Sequence, residues 1–398
     1  MRSAEQPIIK ASGLNRLGAL SFLLCVCLVF SSCEKEEPCI PPDEIPLRTV
    51  LCYMGGDNNL SYEVAEKVGQ LQAASIGRHC RLLIYQDTRD ANPSLSEVVT
   101  EKNGVNTVRV INEYEPSNSA DADVFGSVLR EVADRYPSQS YGLVLFSHAS
   151  GWLPEHTYHT PALRSGTPAL RSIVIDNRAE MELPAFAAVI PDGMFDFIIF
   201  EACFMAGIEV AWELKDKADY IVASSAEIAS PGFTNSYSTA LPLLFEPVAD
   251  LTGFVRAIEA DYRTRSGDYA SLTLSVIQTK GLDALAAALR AHLLKGENEF
   301  AEHGEGRSHA CIQSFDRGNN SLFFDFGDYF ERLVLDAHSL QTALSQCVVY
   351  KVATPDFMPS YGGFEVKSHS GLTTYIPQEK YPNLNEAYKE LKWYKQLH

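Results

Sequence analysis

The chain has no Cys-x-x-Cys pair, no Gly-x-Ser-x-Gly segment and no internal repeat. The first absence leaves a structural zinc site unsupported. The second removes a serine hydrolase built on Ser147 or Ser150, because neither sits on a nucleophile elbow. His156 and His159 are three apart, but no carboxylate or thiol nearby completes a metal set, so no metal site is assigned. Positive charge is also scarce. Thirty-three Lys and Arg face 51 Asp and Glu, a net charge of −18, which argues against nucleic acid and against an anionic membrane surface as partners. No EF-hand loop is present. Nor is there an apolar run of the ~20 residues a spanning helix needs.

The apolar run that does occur covers residues 17–30, follows Arg2, Lys10 and Arg16, and ends at Ser31-Ser32-Cys33. A basic start, a short apolar stretch and small residues before a cut site read as a secretory signal, residues 1–32. A Cys directly after the small residues makes it resemble a bacterial lipoprotein signal, with Cys33 as the lipidated first residue. Residues 33–46, acidic and then Pro-rich, cannot pack and read as a tether. The acidic cluster Glu34-Lys35-Glu36-Glu37 resembles the surface-export signal of Bacteroidetes-type lipoproteins. The expected location is therefore the bacterial outer membrane, facing outward, reached through a lipid anchor at Cys33. Six other cysteines follow the signal, and their spacing does not fix any pairing.

With 398 residues and 46% hydrophobic content, the chain can bury one large core or two ordinary ones. Strand-like runs at 49–54, 81–85, 141–146, 195–200, 220–223 and 272–277 alternate with helical patterns at 60–74, 121–136, 183–190, 205–214, 251–262 and 282–294. Lys102-Asn103-Gly104 marks a hairpin between 98–100 and 107–111. This alternation predicts an α/β fold with a mainly parallel sheet covered on both faces. A polar break at 296–306 precedes a tail with a helix at 326–335 and a strand at 371–377. We divide the mature chain into a core at 47–247 and a C-terminal α/β extension at 248–398 that packs on it.

Two of these strands end in chemistry. Residues 141–146 run into Ser147-His148, and residues 195–200 run into Glu201-Ala202-Cys203. Sites in open α/β sheets lie outside the carboxyl ends of the strands, so this imidazole and this thiol can meet at one rim. Fifty-five residues separate them, enough for a hairpin and one crossover. A helix directly behind Cys203 would lower its pKa and offer backbone N–H groups to an oxyanion. His148 would serve as base and then as acid.

The segments around this pair resemble the clostripain-type cysteine peptidases, relatives of caspases, legumains and gingipains. The resemblance rests on Tyr53-Met54-Gly55-Gly56-Asp57-Asn58-Asn59-Leu60 and on His148-Ala149-Ser150-Gly151-Trp152. It rests also on Ala202 to Leu214 behind the thiol, on Ala223-Ser224-Ser225-Ala226-Glu227, and on Ser370 to Pro377. It implies a caspase-like α/β/α sandwich with an accessory C-terminal region. It implies a cysteine endopeptidase with a His148/Cys203 dyad and an oxyanion site at the backbone of Ala149 and Cys203. Glu201, Ser225 and Glu227 would line the S1 pocket, favouring Arg or Lys at P1. Glu201 stands where the family usually has Asp, and its longer side chain could instead bind inward. Ala149 stands where the family has Gly. A position that needs φ > 0 is strained by Ala, whereas one that needs only an N–H is not.

The resemblance further implies self-cleavage after Arg164 or Arg171, and calcium support in some relatives. Asp57, Asp87, Asp121, Asp123 and Asp176 are the loop-end carboxylates available for such an ion. No cofactor is needed for the chemistry itself. The expected partners are a peptide or protein substrate, with the chain a monomer. The competing reading is a catalytically inactive caspase-like surface binding protein, and covalent labelling of Cys203 separates the two.

Overall fold

A computed structural model describes residues 45–77, 79–154, 157, 173–176, 179–293, 311–318, 321–332 and 338–398. The signal segment, Cys33, nearly all of the tether, Arg164, Arg171, His156 and His159 lie outside the described residues. Nine strands form one sheet. They are β1 (Arg48–Gly56), β2 (Cys80–Thr88), β3 (Ala91–Thr100), β4 (Asn106–Glu113), β5 (Ser140–Phe146), β6 (Phe195–Glu201), β7 (Ala218–Ala223), β8 (Thr273–Gln278) and β9 (Val348–Ala353). Their order across the sheet is β9-β8-β7-β6-β5-β1-β2-β3-β4.

The five central strands, β7 to β2, are parallel, and each edge is extended by two antiparallel strands. All nine residues of β1 are buried, as a strand covered on both faces requires. Alternation along the strands divides the apolar residues between two cores. Tyr53, Leu145, Phe200 and Ile221 pack on one face, and Val50, Phe146, Ile199 and Val222 pack on the other. Strand order reverses between β5 and β1, so the rim above these two strands is the switch point at which α/β sheets build sites.

The helices start where local chemistry starts them. Asp121 accepts hydrogen bonds from the N–H groups of Asp123 and Val124 and caps the helix Ala122–Arg135, which ends before Pro137. Asp250 accepts from Gly253 N at 2.7 Å and caps Leu251–Tyr262. The stretch beyond residue 248 contributes β8 and β9 to the same sheet and side chains to both cores. From residue 45 onward the described chain is one compact unit. Several tail elements carry no strong sequence signal: a helix at His338–Cys347, strand β9, and helices at Pro382–Glu390 and Lys392–Leu397. The strand expected at 371–377 shrinks to Thr373–Thr374. Among the described residues no helix is long and apolar enough to cross a membrane. The described cysteines, Cys52, Cys80, Cys203, Cys311 and Cys347, are all free thiols.

Candidate active site

β5 and β6 are adjacent and parallel, and Phe146 pairs with Glu201 in register. His148 and Cys203 each lie two residues beyond that pair, so the two strands deliver imidazole and thiol to the same level of the rim. Cys203 then enters a tight turn. Phe204 has φ +60°, in the left-handed region that bulky residues seldom adopt. The turn is held by Phe204 N donating to Ala226 O and Ala206 N donating to Ser224 O, at 3.0 and 2.9 Å. From the C-terminal region, Thr373 N donates to Ala206 O at 2.9 Å. Tyr375 N donates to the buried Glu209 carboxylate at 2.8 Å. The Ser370-to-Pro377 segment thus braces the turn after Cys203.

This turn displaces the helix expected at 205–214, which begins at Ile208 and runs only to Glu213. Cys203 is therefore not at a helix N-terminus, and the expected lowering of its pKa does not hold. Its side chain is 6% exposed. Burial, and then the Glu227 carboxylate, push the thiol up to about 12, against the pull of the Ile228 N–H and Arg317. The Ile228 N–H donates to the sulfur at 3.3 Å. Cys203 therefore rests as a thiol rather than a thiolate.

His148 is half-buried, and its Nε2 lies 2.8 Å from Asn59 Oδ1, at the end of β1. Burial pushes the imidazole down to about 4, which keeps it neutral. With Nε2–H donating to Asn59, Nδ1 is the nitrogen left to accept a proton. Asn59 belongs to the segment Tyr53 to Leu60 that carries the family resemblance, but nothing in that pattern marks it as a partner of His148.

The backbone after His148 answers the question raised by Ala149. Among the described non-glycine residues only Phe204 and Met358 have positive φ, so Ala149 is unstrained. Gly151 is the residue that needs to be glycine. Its φ is +65°, and an added Cβ would come within 2.7 Å of Phe204 O. Trp152 follows, buried against the rings of Tyr375 and Tyr388 at 5.0 and 5.4 Å.

Glu201 does not line an S1 pocket here. Alternation along β6 turns its side chain to the face of Ile199 and Phe146, whereas Cys203 beyond the turn packs in the other core. The Glu201 carboxylate accepts from Lys67 Nζ at 2.6 Å, from the Tyr237 hydroxyl and from Phe233 N. Lys67, fully buried, also donates to Thr234 Oγ1 and Pro231 O and lies 4.2 Å from the Phe146 ring centre. The one sequence sign of this partner is that Lys67 interrupts the buried stripe of Val64 and Leu71 on the helix Ser61–Ala73.

Ser225 and Glu227 remain on the Cys203 side. Ser225 Oγ lies 3.2 Å from His369 Nε2, and burial pushes that imidazole down to about 3. Glu227 is 5% exposed, and both its oxygens accept from Arg317. Arg317 carried no signal in the sequence. Of the five loop-end carboxylates, Asp121 is occupied as the helix cap. Asp87 and Asp176 are brought together, with Asp57 close enough to act on both. Burial and then Asp176 push Asp87 up to about 7, and its Oδ2 is buried without a donor. Among the described residues no group of three or more His, Cys, Asp or Glu is arranged to hold a metal ion.

The family model for the Clostripain family, peptidase C11, matches residues 52–398. The chain belongs to that family. This C11 cysteine protease superposes on an inactive zymogen C11 protease from Parabacteroides distasonis with a TM-score of 0.77 and 32% identity, over 90% of this chain and 99% of that one. A secreted C11 cysteine protease from Bacteroides thetaiotaomicron, in complex with an irreversible peptide inhibitor, matches with a TM-score of 0.74 and 27% identity, over 88% and 99%. No curated protein matches the chain. The expected caspase-like α/β architecture and the cysteine peptidase class therefore hold for this C11 protease.

Proposed function

We propose that the chain cleaves peptide bonds with Cys203 as nucleophile and His148 as general base, after an Arg or Lys residue. The observation that carries this reading is the Phe146–Glu201 register, which brings His148 and Cys203 to one level of adjacent strands. Neutral His148 takes the thiol proton, and the thiolate attacks the scissile carbonyl carbon. The resulting oxyanion is met by the N–H groups of Ala149 and Cys203, because those of Phe204 and Ala206 are spent on the turn. Imidazolium then protonates the leaving amine, and water activated by the same His hydrolyses the thioester. Glu227 is the carboxylate on the Cys203 side and supports a basic P1 by charge-assisted hydrogen bonding.

Export, lipidation at Cys33 and anchoring to an outer membrane stay part of the proposal, as does a monomeric state. Cleavage of the loop at Arg164 or Arg171 would convert a precursor into the active form, a reading supported by the zymogen form of the Parabacteroides relative. The deciding experiment is a peptide-library profile of the mature protein beside Cys203→Ala, together with labelling by an Arg-directed acyloxymethyl ketone. Cleavage that persists in Cys203→Ala, or no labelling of the folded protein, overturns the dyad.

A further inference from the structure

Glu227 precedes Ile228, whose N–H touches the Cys203 sulfur at 3.3 Å, and its carboxylate is close enough to act on the thiol, so a cation held there is near Cys203. Such a cation is already present. Arg317 grips Glu227 in a two-point fork, with Nε on one oxygen and Nη2 on the other at 2.7 Å. That is the geometry by which a carboxylate recognises an arginine side chain. The Arg317 side chain is 7% exposed and that of Glu227 is 6% exposed, so the pair is largely shielded from water.

The segment carrying Arg317 is pinned to the site by other contacts. Asp316, just before it, accepts from the N–H groups of Leu322 and Phe323 at 2.8 Å each. The Phe323 ring stacks on Phe204, the residue after the nucleophile, with centroids 4.4 Å apart. Arg317 therefore comes from far along the chain to meet a carboxylate next to the thiol.

Resting on the reading that Glu227 faces the P1 side chain, we propose that Arg317 is a specificity-determining residue of the site, a resident guanidinium that occupies Glu227 in place of a basic P1 side chain. Substrate must exchange with it. The exchange has a route, because Arg317 Nη1 already donates to Tyr361 O at 3.0 Å, and its guanidinium lies 4.6 Å from the centre of the Tyr361 ring. Tyr361 is 58% exposed, so a swing toward it carries Arg317 into solvent while keeping those partners. A neutral P1 side chain offers no replacement charge and would leave Glu227 buried and unpaired. The exchange thus discriminates for Arg and Lys, while the tethered competitor, present at an effective concentration on the order of millimolar, weakens binding of all basic substrates.

The test has two arms. In the first, benzamidine, an amidine probe of the same fork geometry, is titrated into Cys203→Ala protein by calorimetry, with and without Arg317→Ala. Removing Arg317 is expected to tighten benzamidine binding at least tenfold, and adding Glu227→Gln is expected to abolish that gain. Arg317→Gln, which keeps an amide donor for Glu227, gives the same direction if the alanine variant folds poorly. An unchanged affinity overturns the inference whatever the protein's activity. In the second arm, the Arg317→Ala enzyme is profiled on a P1 library. KM for Arg and Lys substrates should fall with little change in kcat. A wild-type preference for acidic P1 residues that disappears in Arg317→Ala overturns the inference by showing that Arg317 itself reads the substrate. Loss of all Cys203-dependent cleavage in every variant condemns the peptidase reading instead, and leaves the benzamidine result to decide the role of Arg317.

Discussion

Glu201 and Lys67, 134 residues apart, form an ion pair at 2.6 Å with side chains 1% and 0% exposed. The carboxylate two residues before Cys203 is thereby tied into the far face of the sheet. Removing one member of a buried pair strands the other charge, at a cost of about 3–5 kcal/mol, whereas replacing both with apolar groups is often neutral.

Glu201→Gln and Lys67→Met should therefore each lower unfolding stability by about 3–5 kcal/mol in urea melts. The double variant Lys67→Met/Glu201→Leu should recover most of that loss. At temperatures where Glu201→Gln is still folded, its preference between basic and neutral P1 residues should match wild type. A variant of undiminished stability that loses basic-P1 cleavage would show that Glu201 reads substrate after all.

Asn59 should prove a positioning residue for the dyad. Its Oδ1 fixes the His148 ring through Nε2, and Asn59→Ala should reduce kcat by about tenfold, a fraction of the ~10²–10⁴ that general-base catalysis supplies. A pH profile separates this from a structural effect. In wild type the acid limb of kcat/KM should fall well below 6.5, following a His148 pKa pushed down to about 4 by burial. Asn59→Asp places a carboxylate against the ring, favours imidazolium and should move that limb to higher pH. An acid limb unmoved in Asn59→Asp would dissociate this contact from catalysis.

The fold was legible in the sequence because it depends on local pattern, and so were the two strand ends that carry His148 and Cys203. β5 and β6 announce themselves as apolar runs that end in His148 and Glu201-Ala202-Cys203, and parallel strands of that kind need both faces covered. What could not be read depends on long-range pairing. Lys67, on the helix Ser61–Ala73 that packs on β1 and β2, meets Glu201 across 134 residues, and Arg317 meets Glu227 across 90. Pattern also misplaced the helix after Cys203. The apolar residues from Met205 onward fit a helical period, yet tertiary contacts to Ala226, Ser224 and Thr373 hold the first of them in a turn.

Asp87 gives the fold a measurable pH dependence. Its folded pKa, raised to about 7 by burial and Asp176, lies above the ~3.9 of an unfolded Asp. The folded state therefore holds a proton that the unfolded state releases, and the resulting stability is present below pH ~4 and lost as pH rises through 7. Asp87→Asn removes the repulsion. It should raise Tm at pH 8 by about 2 °C for each kcal/mol relieved, with little change below pH ~4. Calcium titration of both proteins tests the cation expected from the sequence, since an ion bridging this pair would raise Tm only in wild type. Equal pH dependence in the two proteins would rule out Asp87 as the source.

Phe204 offers a test of the turn that follows Cys203. At φ +60° a side chain with a Cβ pays about 1–2 kcal/mol relative to glycine, while glycine ordinarily loses about 0.5–1 kcal/mol to alanine through chain entropy. The first effect is larger here, so the usual order should reverse. Phe204→Ala and Phe204→Gly both forfeit the stack on Phe323 and about 3–5 kcal/mol of ring burial. Of the two, the glycine variant should be the more stable, by up to about 1 kcal/mol. It should also keep the greater share of kcat, because an alanine that relaxes out of the left-handed region draws the Phe204 N–H away from Ala226 O and turns Cys203 with it. Alanine matching or exceeding glycine in chemical melts would mean that the turn is not held in this conformation in solution.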